Sequence, residues 1–319
     1  MYDVVALGEL LIDFTQSGVS PSGMRLFEQN PGGAPANVLC ALAGFGKRTA
    51  LIGKVGADMH GDFLRETLIQ KGVDVRGLIS DPDVFTTLAF VSLTEGGERS
   101  FSFARKPGAD TCLEESELDI RLLKECRVFH FGSLSLCGQP ARGATLAAAH
   151  AAKEAGAILS YDPNYRASLW PDRQTAVARM RSLLGLADIV KISADETALL
   201  TGHENPVQAA AALLEAGVGC AVVTLGKDGG YAATRQASVR LGVPEVGVVD
   251  TTGAGDAFWG GFLNRLLDKG KTPAALTGDD LTDCLRFAGG AATLCVQKRG
   301  GIPAMPTLAE VMDALKGCE

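Results

Sequence analysis

The chain has 319 residues, a formal net charge of −7 and no long run of Lys or Arg, which argues against a nucleic-acid or anionic-membrane partner. Hydrophobic residues make up 46%, ample for a large core, yet no apolar run is long enough to cross a bilayer. The 8 cysteines include no C-x-x-C pair and there are 4 histidines, so a zinc site is disfavoured, and thiols set inside apolar segments suit a reducing, cytoplasmic compartment.

The N-terminal stretch MYDVVALGELLIDF carries Asp3, Glu9 and Asp13 and lacks a basic region. It reads as a strand rather than a signal peptide. Further short β-branched runs predict strands at 50–55, 128–131, 157–161, 189–192 and 221–224, after a first at 4–7. Amphipathic patterns predict helices near 36–45, 62–71, 141–155 and 207–216. Such alternation predicts an α/β fold, a mostly parallel sheet with helices on both faces. Sites in these sheets lie at the carboxyl ends of the strands. The residues 86–94 (TTLAFVSLT) and 99–104 (RSFSFA), joined by EGGE, break the pattern and read as a hairpin. The segment 24–29 is expected to run extended beside it. This small sheet is either a lid or an ordinary surface hairpin. A loop is expected at 270–280, between two helices.

Late in the chain comes DTTGAGDAFWGGF (250–262). Apolar residues lead into it and a helical pattern follows. Unpaired N–H groups and the positive end of the helix dipole make such a start an anion cradle. Gly253, Ala254 and Gly255 leave its backbone open to close approach. The lone acid, Asp256, has two readings. It is an N-cap, or it is a general base beside a phosphoryl group held by the amides. A Walker loop needs a GK[ST] ending that is absent here, and Phe258 occupies the third glycine position of a dinucleotide fingerprint.

GAGD after DTT resembles the C-terminal signature of the PfkB (ribokinase-like) carbohydrate kinases. GGAPANVLCALAGFG (32–46) followed by ALIGKVGADMHGDFL resembles their N-terminal one. The likeness covers essentially 2–307, and GELLIDF, GERSFSFARKPGAD, YDPNYR and IVKISADE bring it closest to fructokinases. It implies a three-layer α/β/α ribokinase-like fold with a small β-sheet lid, contributed by about 14–32 and 84–110, in a single domain over 1–319.

The resemblance also implies roles. Asp13, Gly33 and Asn37 match sugar contacts, and Arg105 and Arg166 are cations for a phosphate or for part of the substrate. Thr224, Gly226 and Gly229 match the ATP loop, with Lys191 and Ser193 beside it. Ser193 stands where the family often has Asn. Glu196 matches the acid that organises Mg²⁺ through water. Asp250, Thr252, Cys295, Lys298 and Gly300 match a monovalent-cation site, with K⁺ expected, although Ala304 lacks an oxygen ligand often found there. Asp256 is then the base, and the amides of Ala254, Gly255 and Asp256 stabilise the transferring group. Fructose is the expected substrate. The rivals are 2-keto-3-deoxygluconate, ribose or a nucleoside, a non-catalytic sugar-binding regulator, and a dinucleotide oxidoreductase. Exposed lid strands would suit a homodimer.

Overall fold

The computed structural model describes residues 1–93 and 99–317. The EGGE turn lies outside the described residues. Strands in chain order are β1 (Tyr2–Leu7), β2 (Leu11–Val19), β3 (Arg25–Gly32), β4 (Thr49–Gly56), β5 (Val73–Asp81), β6 (Leu88–Leu93) and β7 (Arg99–Ala104). They continue with β8 (Cys126–Gly132), β9 (Ile158–Asp162), β10 (Ile189–Ser193), β11 (Cys220–Thr224), β12 (Gly230–Ala233) and β13 (Ser238–Leu241). The helices are α1 (Ala34–Gly44), α2 (Met59–Gln70), α3 (Ile120–Lys124), α4 (Ala141–Glu154) and α5 (Arg173–Arg181). After them come α6 (Ala194–Thr201), α7 (Pro206–Glu215), α8 (Ala254–Lys269), α9 (Gly278–Cys295) and α10 (Leu308–Lys316).

The large sheet runs β13-β12-β11-β10-β9-β8-β1-β4-β5. It is parallel except where β12 pairs with β11 and β13. Its strands are apolar on both faces because both are covered. Val4 and Ala6 of β1 enter one core, with α1, α2, α8, α9 and α10. Val5 and Leu7 enter the other, with α3 to α7. The period-2 alternation of a strand thus serves two cores at once. This is the three-layer arrangement expected from the sequence.

The small sheet runs β3-β2-β6-β7, and two expectations change here. The stretch MYDVVALGELLIDF is two strands in two sheets. β1 stops at Leu7, and Glu9 accepts from the Ala34 N–H at 3.0 Å rather than extending the ladder. The chain then enters the small sheet as β2. Of the segment 24–29, all but Met24 belongs to β3, which pairs with β2 and not with the hairpin. β2 pairs in parallel with β6, so it lies between the two. Carboxylates hold the base of this sheet. Asp58, the N-cap of α2, accepts from Thr86 N at 2.8 Å and from its Oγ1 at 2.9 Å. Asp110 Oδ1 accepts from Thr87 Oγ1 at 2.5 Å.

Helix α8 carries the GAGD turn, and packing fixes its place. Trp259 is fully buried and its Nε1 donates to Ser160 Oγ of β9 at 2.9 Å. On the flanks, a Cβ at Gly260 would lie 2.8 Å from the Ala41 Cβ of α1, and one at Gly261 would lie 2.9 Å from the Ala288 Cα of α9. No side chain fits between the helices at these points. Gly260→Val should therefore force α8 away from α1. The expected loss is about 1–3 kcal/mol, read as a lower midpoint in urea unfolding followed by circular dichroism. An unchanged midpoint would show that this close approach does not fix α8.

Candidate active site

Two adjoining cavities open at the carboxyl ends of the large-sheet strands. One, of about 500 Å³, is lined by Glu9, Asp13, Asn37, Arg166, Lys191 and Asp256 among others. The second, of about 640 Å³, is lined by Thr224, Gly226, Gly229, Pro244, Val248 and Phe258 among others. Thr224, Thr251 and Gly255 line both. The GAGD turn thus stands on their shared wall.

The cap of α8 is Gly253, held at φ 77°, with no side-chain capping bond. Left-handed backbone suits glycine, and here even a Cβ would lie 2.8 Å from Met305 Cε. Asp256 lies inside the first turn and caps nothing. Its Oδ2 accepts from Asn37 Nδ2 at 2.7 Å, in the interior. Of the turn amides, that of Ala254 donates to the Thr251 carbonyl at 3.3 Å. Among the described residues, those of Gly255 and Asp256 have no backbone acceptor. The usable cradle is narrower than the sequence implied. Burial pushes the Asp256 carboxyl up to about 6, against the opposing pull of Lys191 and the Asn37 bond.

Lys191 is buried, not a solvated strand-end residue. Its ammonium pairs with Asp162 Oδ2 and lies 3.5 Å from where a Gly255 Cβ would stand. Burial works against its charge, yet Asp162, Glu196 and Asp256 hold its pKa above the ordinary lysine range. Glu196 is held tightly. Its Oε2 accepts from Ser193 N and Oγ, both at 2.8 Å, and its Oε1 from Tyr165 N at 2.7 Å. Gly226 and Gly229 flank a tight turn after β11, at φ 59° and 88°, and Thr224 closes that strand.

Asp13 is not a strand-end residue. It sits within β2, opposite Asn30 of β3 and Ala89 of β6. Burial pushes its carboxyl up to about 6, with Arg166 opposing and Asp250 and Asp256 adding to the rise. Gly33 caps α1 at φ 120°. Among the described residues, Asn37 Oδ1 is a buried acceptor without a hydrogen-bond partner, an available contact for a hydroxyl. Arg166 is exposed on the cavity wall, donating to the Tyr165 carbonyl at 3.0 Å.

Arg105 stands apart from the wall. Its Nε and Nη2 donate to Asp110 Oδ2 at 2.9 and 2.6 Å, and Nη2 also reaches the Leu134 carbonyl at 3.0 Å. The donors on Nε and Nη2 are thus committed within the protein. Sequence reasoning passed over Asp110, Glu9 and Asp162. Asp162 ends β9, and its Oδ1 is buried with no hydrogen-bond partner among the described residues. Its place at a strand's carboxyl end, in the YDPNYR run, was the available signal.

The Asp250 carboxylate gathers the loop at 295–301. Its Oδ1 accepts from Thr252 N at 2.9 Å and Oγ1 at 2.8 Å, and its Oδ2 from Gly300 N at 3.0 Å. Cys295 Sγ donates to the Thr252 carbonyl at 3.6 Å. The Lys298 side chain instead pairs with Glu310 at 2.7 Å. Among the described residues no cluster of His, Cys, Asp and Glu forms a metal site. A cation here would be held mainly by carbonyl oxygens.

The profile of the "pfkB family carbohydrate kinase" matches residues 1–308. The chain belongs to this family. It is 45% identical over 318 residues to "Probable fructokinase-6, chloroplastic" of Arabidopsis thaliana, covering 98% of this chain and 82% of that one. It is 42% identical over 317 residues to fructokinase-1 of Zea mays, covering 98% and 97%. Among solved structures, the fructokinase of Xylella fastidiosa with bound ATP superposes with a TM-score of 0.91 at 33% identity, covering 100% and 99%. A double mutant of the Vibrio cholerae fructokinase with fructose, ADP and potassium gives 0.88 at 34%, covering 98% of each. This pfkB chain shares the fold of those enzymes throughout.

The raised Asp256 pKa has a consequence for stability. The folded carboxyl binds its proton more tightly than the unfolded one, whose pKa is 3.8. Its burial therefore costs nothing below about pH 4, and the cost grows until pH passes about 6. Asp256→Asn should raise the unfolding free energy at pH 8 by at most about 3 kcal/mol and leave it unchanged below pH 4. Denaturant titrations at the two pH values test this. A variant no more stable than wild type at pH 8 would contradict the stated burial cost.

Proposed function

We propose that the chain is an ATP-dependent fructokinase, transferring the γ-phosphoryl group of ATP to a primary hydroxyl of fructose. The observation carrying this is the position of Asp256 and the Gly255 and Asp256 amides on the wall between the two cavities. Fructose occupies the cavity of Asp13 and Asn37, and ATP the cavity of Thr224, Gly226 and Gly229. An Asp256 carboxylate oxygen takes the hydroxyl proton. The sugar oxygen bonds to the γ-phosphorus, and the bond to the bridging oxygen breaks, releasing ADP. The Gly255 and Asp256 amides and the α8 dipole meet the charge on the passing group. Lys191 stands beside them as a fixed cation. A carboxyl with pKa near 6 is ionised at neutral pH and basic enough to accept a proton.

Glu196, with Asp162 and its unpaired Oδ1, suits Mg²⁺ held through water. When bound, the ion would neutralise the ATP phosphates. Asp250 and the carbonyls near Thr252, Cys295, Lys298 and Gly300 suit K⁺, placed to strengthen the positive potential at the GAGD turn. The small sheet acts as a lid that keeps water from ATP. Leu26, Phe27 and Phe90 on that sheet are large exposed apolar residues, which supports a homodimer formed through it. The 7 described cysteines are unpaired, in keeping with a cytoplasmic enzyme. Among the described residues no helix is long and apolar enough to cross a membrane.

Asp256→Asn should lower kcat by about 10²–10⁴ while the protein stays folded. In the wild type, kcat/KM for fructose should fall as pH drops below about 6, where both Asp13 and Asp256 take up protons. Near-normal turnover of a folded Asp256→Asn enzyme in a coupled ADP-release assay would remove Asp256 as the base.

Exchanging K⁺ for a bulky organic cation at constant ionic strength should slow turnover. Rates indifferent to the cation would remove potassium and leave the kinase reading in place.

A further inference from the structure

The sugar cavity has an acid that the reaction does not use. Glu9 follows β1, is 4% exposed and lines the cavity. Its Oε1 is held by the Ala34 N–H at 3.0 Å, and Ala34 lines the cavity too. Behind it stands Arg105, close enough to act on the Glu9 charge but not part of the cavity lining, which carries Arg166 and Lys191. Arg105 could have offered its planar fork to a sugar carboxylate. Asp110 takes that fork, with two donors on one carboxylate oxygen, and the Leu134 carbonyl takes a third bond. Asp110 is fixed in turn by Thr87 at 2.5 Å. Both members of the pair are buried.

The charges therefore add up differently from the sequence. Arg105 and Asp110 cancel. Glu9, Asp13 and Asp256 line the cavity, against the exposed Arg166 and a Lys191 whose charge is already paired with Asp162. Burial pushes the Glu9 carboxyl up to about 7, with Arg105 opposing and Asp110 adding to the rise, so it is largely ionised at pH 8. A carboxylate ligand placed here would meet a like charge in a poorly hydrated space, where repulsion is strong. Neutral hydroxyls would find acceptors.

We infer that Glu9, backed by the Arg105–Asp110 pair, is a specificity-determining residue that makes this site reject acidic sugars in favour of neutral ones. The inference rests on the fructokinase reading and deepens it. Glu9→Gln keeps the shape and the acceptor for Ala34 but removes the charge. Asp110→Asn leaves the shape and restores an uncompensated positive charge at Arg105.

The experiment measures kcat/KM for fructose and for 2-keto-3-deoxygluconate at pH 8 by ADP release, with calorimetric binding of each sugar in parallel. Wild type should favour fructose by at least about 10³, in line with discrimination by buried polar groups. Each variant should narrow that ratio at least tenfold, with the sugar acid gaining in absolute terms. A ratio unchanged in folded Glu9→Gln overturns the inference, whatever Asp110→Asn does. So does a ratio narrowed only because fructose is used less well, or a wild type that prefers the acid. If wild type phosphorylates neither sugar, the kinase reading for fructose fails, and the binding ratio alone then decides the selectivity by the same criteria.

Discussion

A buried carboxylate persists only if its charge is tolerated, and the surroundings of Asp256, the proposed base, meet that condition. Three features supply the compensation. The α8 N-terminus brings its dipole and the free amides of Gly255 and Asp256. Asn37 donates a hydrogen bond across from α1 at 2.7 Å. Lys191 adds a full charge, itself stabilised by Asp162. None suffices to restore the ordinary carboxylate range, and the residual rise leaves Asp256 at about 6, a value that suits the proposed base at neutral pH. Two helices and two strands supply these groups, so their arrangement depends on where α8 is held. The glycine contacts with α1 and α9 and the Trp259–Ser160 bond provide that constraint.

The layered body was legible because its strands and helices have opposite periods and buried faces that follow them. The GAGD turn was legible too, since small residues before a helix and an acid within its first turn have few purposes in combination. Two kinds of information were hidden. A strand that changes sheets looks continuous in sequence, as β1 and β2 did, because both halves are apolar and Gly8 alone hardly marks the break. The destiny of a charged side chain is also unreadable when its partner is near in sequence but ambiguous in role. Arg105 and Asp110 are five residues apart, and only the fold shows that one consumes the other. Lys191 was obscured for the opposite reason. Its partner Asp162 is on a neighbouring strand, 29 residues away.

The cation loop illustrates a different limit. Backbone carbonyls leave no signature in the side chains that precede or follow them, so resemblance was the only guide to Cys295, Lys298 and Gly300. The fold adds one physical reason for their grouping. Asp250 accepts from Thr252 on one oxygen and from Gly300 on the other, which draws two distant segments to the start of α8.

The passage of the chain from β1 to β2 has one more effect. Asp13 rides on the small sheet, whereas Glu9, Asn37 and Asp256 belong to the body. The sheet is fastened to the body at Thr86 and Thr87, held by Asp58 and Asp110, and also through Glu28 to Arg299 and Gln29 to His60. Any swing of the sheet would carry Asp13 away from the other three and divide the set of groups proposed to grip a sugar. On the proposed reading, the lifetime of a bound sugar would then depend on how stiffly the sheet is fastened, some distance from any atom the sugar touches.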